Sequence, residues 1–124
     1  MRPSRRDCRL FALAAAMAVG GENKTRVGAV LSKGRTILSR ACNTARNEVA
    51  NVQHGHATYH AERVVLRGHE HRFNCTLYVA RLGLNGELRP SRPCRECDNH
   101  ILYGTAVSRL VYLNDNNELV KVKR

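Results

Sequence analysis

The chain has 124 residues, the length of one domain with one hydrophobic core, so we expect a single domain over residues 1–124. With 43% hydrophobic and 25% charged residues, the composition excludes a disordered tail. The 21 basic and 10 acidic residues leave a net charge of +11, which favours a partner with phosphate groups or another anionic surface.

Cysteine usage and the longest apolar segment bear on the cellular compartment. The five cysteines are odd in number and irregularly spaced, which disfavours a disulfide framework and favours a reducing, cytoplasmic location. The longest apolar run covers residues 10–19, about half the length that spans a bilayer. Although Arg2, Arg5 and Arg6 precede this run as they would in a signal peptide, we expect an ordinary helix and no membrane partner.

The first predicted element is this helix. Asp7 can cap a helix over Cys8–Val19, a segment rich in Ala, Leu and Met. Gly20 and Gly21 follow, and glycine suits the left-handed residue that lies just past the end of many helices. The sequence therefore predicts that the helix ends at this glycine pair.

A β-hairpin is predicted next. Arg26–Leu31 and Thr36–Ala41 are rich in residues that favour strands, and the residues between them are typical of a turn. Residues 43–56 are polar and show no clear period, so we expect a loop on the surface. Loops of this length in small domains commonly carry function.

The second half predicts two more helices and three more strands. In chain order these are a helix over Tyr59–Leu66 capped by Thr58 and ended by Gly68, a strand over Thr76–Leu82, a loop over 83–92 with an Asn-Gly turn, a helix from Pro93 to Gly104, and strands over Arg109–Leu113 and Leu119–Lys123. The strand-helix-strand units indicate parallel pairing in a sheet covered by helices. Because a parallel crossover needs about a dozen residues, the short final connection makes the last strand antiparallel to the one before it.

Two short motifs contain candidate metal ligands. They are His60-Ala61-Glu62 and Pro93-Cys94-Arg95-Glu96-Cys97. One imidazole and two thiolates are donors that zinc prefers, and three protein ligands leave the open fourth position that is typical of catalytic zinc sites. Cys94 and Cys97 lie three residues apart at a predicted helix start, where the helix dipole favours thiolates. A carboxylate such as Glu62 beside a zinc-bound water can transfer its proton, provided that Glu62 lies near a helix terminus.

A closed structural zinc site or a redox site is the alternative interpretation of these motifs. A closed zinc site needs a fourth ligand, for which the other histidines are candidates: His54, His56, His69, His71 and His100. Histidines in surface loops commonly bind no metal, and His100 is expected to pack or to bond to backbone. We therefore favour the open, catalytic site.

The two motifs, in this order on successive predicted helices, resemble those of the cytidine deaminase superfamily, in the branch that has His as its first zinc ligand. The resemblance extends from residues 26–30 through residues 77–79 to residues 110–112. It implies a three-layer α/β/α fold with a mixed five-stranded sheet whose last strand is antiparallel. It also implies one catalytic zinc, bound by His60, Cys94 and Cys97, and Glu62 as the catalytic proton-transfer residue.

The resemblance further implies a set of substrate contacts. These are Asn43 for the sugar, backbone groups at Ala61 and Arg92 for the base, Tyr112 against the ring of the base, and Val27 and Ala29 as pocket walls. The alternatives are that Asn43 is a turn residue and that Tyr112 fills the core.

The implied reaction is hydrolytic deamination of cytosine to uracil. The terminal hairpin resembles a branch that includes both free-cytidine deaminases and deaminases that act on DNA or RNA, and His60 as first ligand favours the members that act on nucleic acid. The charge of +11 favours single-stranded DNA as the substrate. Six arginines that flank the motifs are candidates to line the path of the backbone: Arg40, Arg46, Arg63, Arg89, Arg92 and Arg95. The alternative substrate is a free nucleotide such as deoxycytidylate. An adenine deaminase and an inactive zinc-containing nucleic-acid-binding module stay open, and the resemblance is compatible with a homo-oligomer.

Overall fold

A mixed β-sheet lies at the centre of the computed structural model, which describes residues 2–20, 26–45, 58–59, 61–69, 73–93 and 107–123. The elements within these ranges are, in chain order, α1 (Arg5–Ala18), β1 (Arg26–Lys33), β2 (Thr36–Cys42), β3 (Thr44–Ala45), β4 (Thr58–Tyr59), α2 (Ala61–Leu66), β5 (Cys75–Leu82), β6 (Leu88–Arg89), β7 (Val107–Leu113) and β8 (Leu119–Lys123).

The strand order of the central sheet is β2-β1-β5-β7-β8, and the two-residue β6 pairs with β5. β1 is antiparallel to both β2 and β5, whereas β5 is parallel to β7. β8 returns antiparallel to β7. The predicted mixed five-stranded sheet and its antiparallel last strand are therefore confirmed, and β6 is a small addition that the sequence did not predict.

Alternation along the strands divides the buried side chains between the two faces of the sheet. One face carries residues such as Leu31 and Leu77 and packs against α2. The other carries residues such as Val30 and Val111 and packs against α1. The first six residues of β5 are all buried, as expected for a central strand that is covered on both faces. The described helices thus lie on opposite faces of the sheet and form the outer layers of the α/β/α arrangement.

The first helix begins three residues earlier than predicted and ends within one residue of the prediction. Ser4, not Asp7, is the N-cap, and the two residues form a capping box in which each side chain accepts a hydrogen bond from the other's backbone N–H. The helix ends at Ala18, and Val19 caps it in the right-handed conformation. Gly20 does not have the predicted left-handed φ, and its N–H bonds to the carbonyl of Met17. Gly21 lies outside the described residues.

Asp7 also connects three elements of the fold. Its carboxylate accepts a hydrogen bond of 2.7 Å from the Tyr78 hydroxyl of β5 and one of 2.9 Å from the Lys121 ammonium of β8. Burial alone raises the pKa of Asp7, but the hydrogen bonds from the Ser4 backbone, Tyr78 and Lys121 outweigh it and lower the pKa from 3.8 to about 2. Burial and the neighbouring Asp7 raise the pKa of Tyr78, so its hydroxyl remains a donor.

The second helix is shorter than predicted. Thr58 and Tyr59 are not its cap and first residue, because they pair as β4 with Thr44 and Ala45 of β3 inside the predicted loop. Gly68 ends the helix with φ of +78°, as predicted. The rest of the loop, residues 46–56, lies outside the described residues.

The five predicted strands, which correspond to β1, β2, β5, β7 and β8, agree with the structure to within about two residues at each end. Gly86 has φ of +80° and forms the predicted Asn-Gly turn. The third predicted helix, beyond Pro93, lies outside the described residues. No helix in the described ranges is long and apolar enough to cross a membrane.

Candidate active site

Four apolar residues lie side by side across the sheet near the carboxyl ends of β5 and β7. Ala41 of β2 pairs with Ala29 of β1, and Ala29 pairs with Val79 of β5. Tyr112 of β7 follows the partner of Tyr78 and therefore lies beside Val79. Ala29 and Val79 are buried, and the partly buried Ala41 and Tyr112 pack against the same core. These four residues, which we call the inner row, form an apolar floor on the α2 side of the sheet.

The first turn of α2 packs on this same face. Ala61 is fully buried in the core cluster that includes Ala29 and Val79. Glu62 is only 5% exposed, so its carboxylate is enclosed at the start of the helix. Because α2 begins at Ala61, Glu62 occupies the helix terminus, which is the position that its predicted proton-transfer role requires. The sequence places His60 directly before this turn.

Asn43 lies at the end of β2 and is fixed to the start of β1. Its side-chain carbonyl accepts a hydrogen bond of 2.9 Å from the Val27 N–H, and its own N–H donates one of 3.0 Å to the Val27 carbonyl. Asn43 is 5% exposed, and this pair of bonds sets the orientation of its amide group. The bonds give Asn43 a structural role in joining the end of β2 to the start of β1 and hold it beside the inner row. Its contact with the sugar stays a prediction.

Ser91 connects the second motif to the sheet, a function that the sequence did not indicate. Its hydroxyl donates a hydrogen bond of 2.7 Å to the Val79 carbonyl and accepts one of 2.9 Å from the Leu113 N–H. Its own N–H donates a bond of 2.9 Å to the Leu113 carbonyl. Ser91 thereby joins the carboxyl ends of β5 and β7 three residues before Cys94. Its only sequence signal is a small polar residue in a proline-rich loop before the motif.

Arg92 follows Ser91 and has an exposed side chain, although its neighbours Ser91 and Pro93 are buried. Its backbone therefore stays at the edge of the core, and its contact with the base stays a prediction. The predicted substrate contacts fall around one end of the sheet: Val27, Ala29, Ala61 and Tyr112 in one apolar cluster, Asn43 bonded to Val27, and Arg92 beside Ser91.

The predicted zinc ligands His60, Cys94 and Cys97 lie outside the described residues, as do His54, His56, His71 and His100. His69 is described and lies just beyond α2, where its N–H bonds to the Leu66 carbonyl. Within the described ranges, no three His, Cys, Asp or Glu side chains form a metal-binding group.

The residues that flank the two motifs fit a zinc site at this end of the sheet. Ala61, next to His60, and Ser91, three residues before Cys94, both contribute to the surroundings of Val79. An imidazole and two thiols form a donor set that zinc prefers. The buried Glu62 carboxylate lies beside the first of these ligands in the chain.

Comparison with known proteins identifies the family and supports the fold. Residues 4–114 match the family described as "Cytidine and deoxycytidylate deaminase zinc-binding region". A comparison with curated proteins finds no match. Several solved structures are similar, among them a cytidine deaminase from Burkholderia pseudomallei, with a TM-score of 0.66 and 17% sequence identity over 94% of this chain and 91% of that chain. Because the family match covers most of the sequence, the chain belongs to the cytidine and deoxycytidylate deaminase zinc-binding family.

Proposed function

We propose that the protein is a zinc-dependent hydrolytic deaminase that converts cytosine to uracil in single-stranded DNA. Membership of the family supports the deaminase activity. The observation that carries the proposal is the convergence of the buried Glu62 turn and the Ser91 anchor on the inner row. This convergence provides an enclosed carboxylate beside an apolar floor of the kind that a planar base fits.

His60, Cys94 and Cys97 would hold the zinc, which when bound supplies an activated water for attack on the cytosine ring. Glu62 takes a proton from the attacking water and delivers it to the departing amino group, so that cytosine and water yield uracil and ammonia. The enclosure of Glu62 excludes bulk water and keeps this proton at the reacting atoms. The inner row, which includes Tyr112, orients the base, and Asn43 orients the sugar.

The charge of +11 supports a polyanionic substrate, because a free nucleotide needs only one or two cations for its phosphate. Single strands are favoured over duplexes since their bases enter a pocket at little unstacking cost. A deaminase of free nucleotides or nucleosides is the second candidate. The family description, which includes deoxycytidylate, and the similarity of the fold to a cytidine deaminase favour this candidate.

The proposal is tested by offering the zinc-loaded protein single-stranded DNA, duplex DNA, RNA, deoxycytidylate and cytidine, and by measuring uracil and ammonia. We expect the highest kcat/KM on single-stranded DNA and a loss of at least about a thousandfold in Glu62→Gln, because that amide cannot transfer the proton. Both proteins should bind the same amount of zinc.

The other candidates give different outcomes in the same assay. Conversion of the monomers alone would overturn the polynucleotide substrate and establish the second candidate. Conversion of deoxyadenosine in a matched oligonucleotide, with cytosine unchanged, would identify the base as adenine. A zinc-loaded protein that binds DNA and converts nothing would be the inactive binding module.

A further inference from the structure

A pair of arginines lies at the same end of the sheet, beyond the inner row. β5 extends past the end of its pairing with β7, and β6 takes up the free side of this extension. Arg81 is directly opposite Arg89, and Leu82 is directly opposite Leu88. The side chains of Arg81 and Arg89 are both exposed.

The connection between β5 and β6 is a short, well-defined turn. The Gly83 N–H bonds to the Glu87 carbonyl at 2.9 Å, and the Gly86 N–H bonds to the Gly83 carbonyl at 3.1 Å. Gly86 supplies the left-handed residue that this turn needs. The hydrogen-bonded turn and the cross-strand pairs hold the two arginine backbones in fixed register.

The two arginines share a face with the candidate active site. Arg81 lies two residues beyond Val79, so it points to the same side of the sheet as the inner row. On its other side Arg81 pairs with Val27, which is bonded to Asn43. Asn43, Val27, Arg81 and Arg89 therefore form a second row across the sheet, which we call the rim. At about 4.8 Å per strand, Arg81 lies about 10 Å from Asn43 and Arg89 about 15 Å.

The chemistry of the pair suits a phosphate. Residues directly opposite each other have Cβ atoms about 5 Å apart, so two guanidinium groups can reach one phosphate between them. Each planar guanidinium presents donors that match phosphate oxygens. Acidic residues are also present at this end of the sheet: Glu87 in the turn, whose carboxylate accepts the Asn85 N–H, and Asp115 and Glu118 between β7 and β8.

We propose that Arg81 and Arg89 together bind a backbone phosphate of a neighbouring nucleotide while the target base occupies the pocket. This inference rests on the proposed function and deepens it. If Asn43 contacts the sugar of the target nucleotide, Arg81 and Arg89 lie too far along the rim to contact that same nucleotide. They are placed to contact the next phosphate of a DNA strand that continues across the rim. The substrate is then a single strand with at least one phosphodiester beyond the target.

The test compares Arg81→Ala/Arg89→Ala with Lys33→Ala/Arg35→Ala. The control pair is exposed at the opposite end of β1, about 20 Å away at about 3.3 Å per residue, and it removes the same charge. We expect the arginine variant to bind a cytosine-containing oligonucleotide about tenfold more weakly, and the slope of log affinity against log salt to fall by about 0.7, the value for one phosphate on a single strand. The control pair should keep the affinity and slope of the wild type to within about twofold.

The ratio of kcat/KM on a trinucleotide with a central deoxycytidine to kcat/KM on deoxycytidylate identifies which phosphate is bound. We expect this ratio to fall about tenfold in the arginine variant, and Arg81→Lys/Arg89→Lys to recover the salt slope because it keeps both charges. An equal loss on both substrates would show that the pair binds the target's own phosphate, and equal effects of the arginine and control pairs would show only a general charge effect. Either result overturns the inference.

Failure of the proposed function appears in a different measurement. If the wild-type protein converts only monomers, the polynucleotide proposal fails before any variant is compared, and this inference fails with it. If the wild type converts the oligonucleotide and the arginine variant does so equally well, the inference alone is overturned. Thermal unfolding shows whether each variant is folded, and the lysine variant provides the comparison if the alanine variant does not fold.

Discussion

Single residues decide how the second motif is attached to the sheet, and Ser91 is the clearest case. Its hydroxyl and backbone N–H together make three hydrogen bonds to Val79 and Leu113, and the residue is 3% exposed. Pro93 follows two residues later and is buried as well. The chain segment that leads to the predicted ligand Cys94 is therefore bound to the ends of β5 and β7.

Ser91→Ala is expected to weaken zinc binding as well as the fold. Loss of the hydroxyl removes the partner of a buried N–H and a buried carbonyl, which costs about 1–3 kcal/mol of unfolding free energy. Because the three residues before Cys94 then lose their anchor, we expect zinc affinity to fall by about tenfold, in the range seen when the groups that orient metal ligands are removed. Competition with a chelator measures zinc affinity, and denaturant unfolding measures stability.

Ser108→Ala is the matched control for this variant. The Ser108 hydroxyl donates to the Cys75 carbonyl at 3.4 Å, at the end of the sheet away from the candidate site. Ser108→Ala should change zinc affinity by less than about twofold, because Ser108 is far from the segment that leads to the predicted zinc ligands. If the two variants lose the same zinc affinity, Ser91 does not position the ligands.

At the scale of elements, the Asp7 network joins α1, β5 and β8, and it makes stability depend on pH. The folded pKa of Asp7 is about 2, below the 3.8 of the unfolded chain, so the folded protein favours the ionised form. This contribution is fully present above about pH 4 and is lost as pH falls toward 2, an amount of about 2 kcal/mol. Asp7→Asn lacks the titrating group and does not lose this contribution. As the pH falls from 5 to 2, the difference in unfolding free energy between the wild type and Asp7→Asn should therefore shrink by about 2 kcal/mol.

Denaturant unfolding of both proteins across this pH range makes the comparison, since the other carboxylates titrate in both. Parallel stability curves would contradict the assignment of the network to Asp7. Lys121→Met is a useful second variant, because it removes one donor and keeps the carboxylate. The unfolding free energy of Lys121→Met should fall less than that of the wild type as the pH is lowered from 5 to 2.

Elements also show which parts of the fold the sequence can predict. The strands β1 and β5 were predicted because they contain runs of residues that favour strands, and the antiparallel direction of β8 was predicted because too few residues separate it from β7 for a crossover. β6 was missed because a two-residue strand is defined by its partner and has no period of its own. Thr58 was mistaken for a helix cap because its pairing with β3 is a contact between distant residues, which local propensity does not contain.

The candidate site divides in the same way. Val27, Ala29 and Tyr112 were expected around one pocket because the family resemblance implies it, and the structure puts them in one cluster. The anchoring by Ser91 and the pairing of Arg81 with Arg89 could not be predicted, although Arg89 by itself was a candidate for the path of the backbone, since both depend on which strand ends lie next to each other. The two motifs predicted the kind of reaction. The positions of Ser91 and of the arginine pair around the site depend on the order of the strands in the sheet, which the motifs do not contain.

At the scale of the whole molecule, metal binding is expected to contribute to folding. The two predicted ligand motifs are separated by β5 and β6, so a bound zinc would link α2 to the segment that follows Ser91. Because the unfolded chain has no preformed site, the zinc stabilises the folded state, by about 4 kcal/mol when free zinc exceeds its dissociation constant a thousandfold. Removal of zinc with a chelator should therefore lower the unfolding temperature of the wild type, and added zinc should restore it.

Cys97→Ser and Cys8→Ser form a matched pair for this experiment. Cys97 is a predicted ligand, whereas Cys8 is an exposed free cysteine on α1, away from the candidate site. Cys97→Ser should bind little zinc and unfold at the same temperature with or without chelator, whereas Cys8→Ser should respond as the wild type does. Zinc content by atomic absorption and unfolding by circular dichroism are measured on the same samples. Full zinc content in Cys97→Ser would exclude this residue from the ligand set, and loss of zinc without any change in unfolding temperature would show that the metal serves chemistry alone.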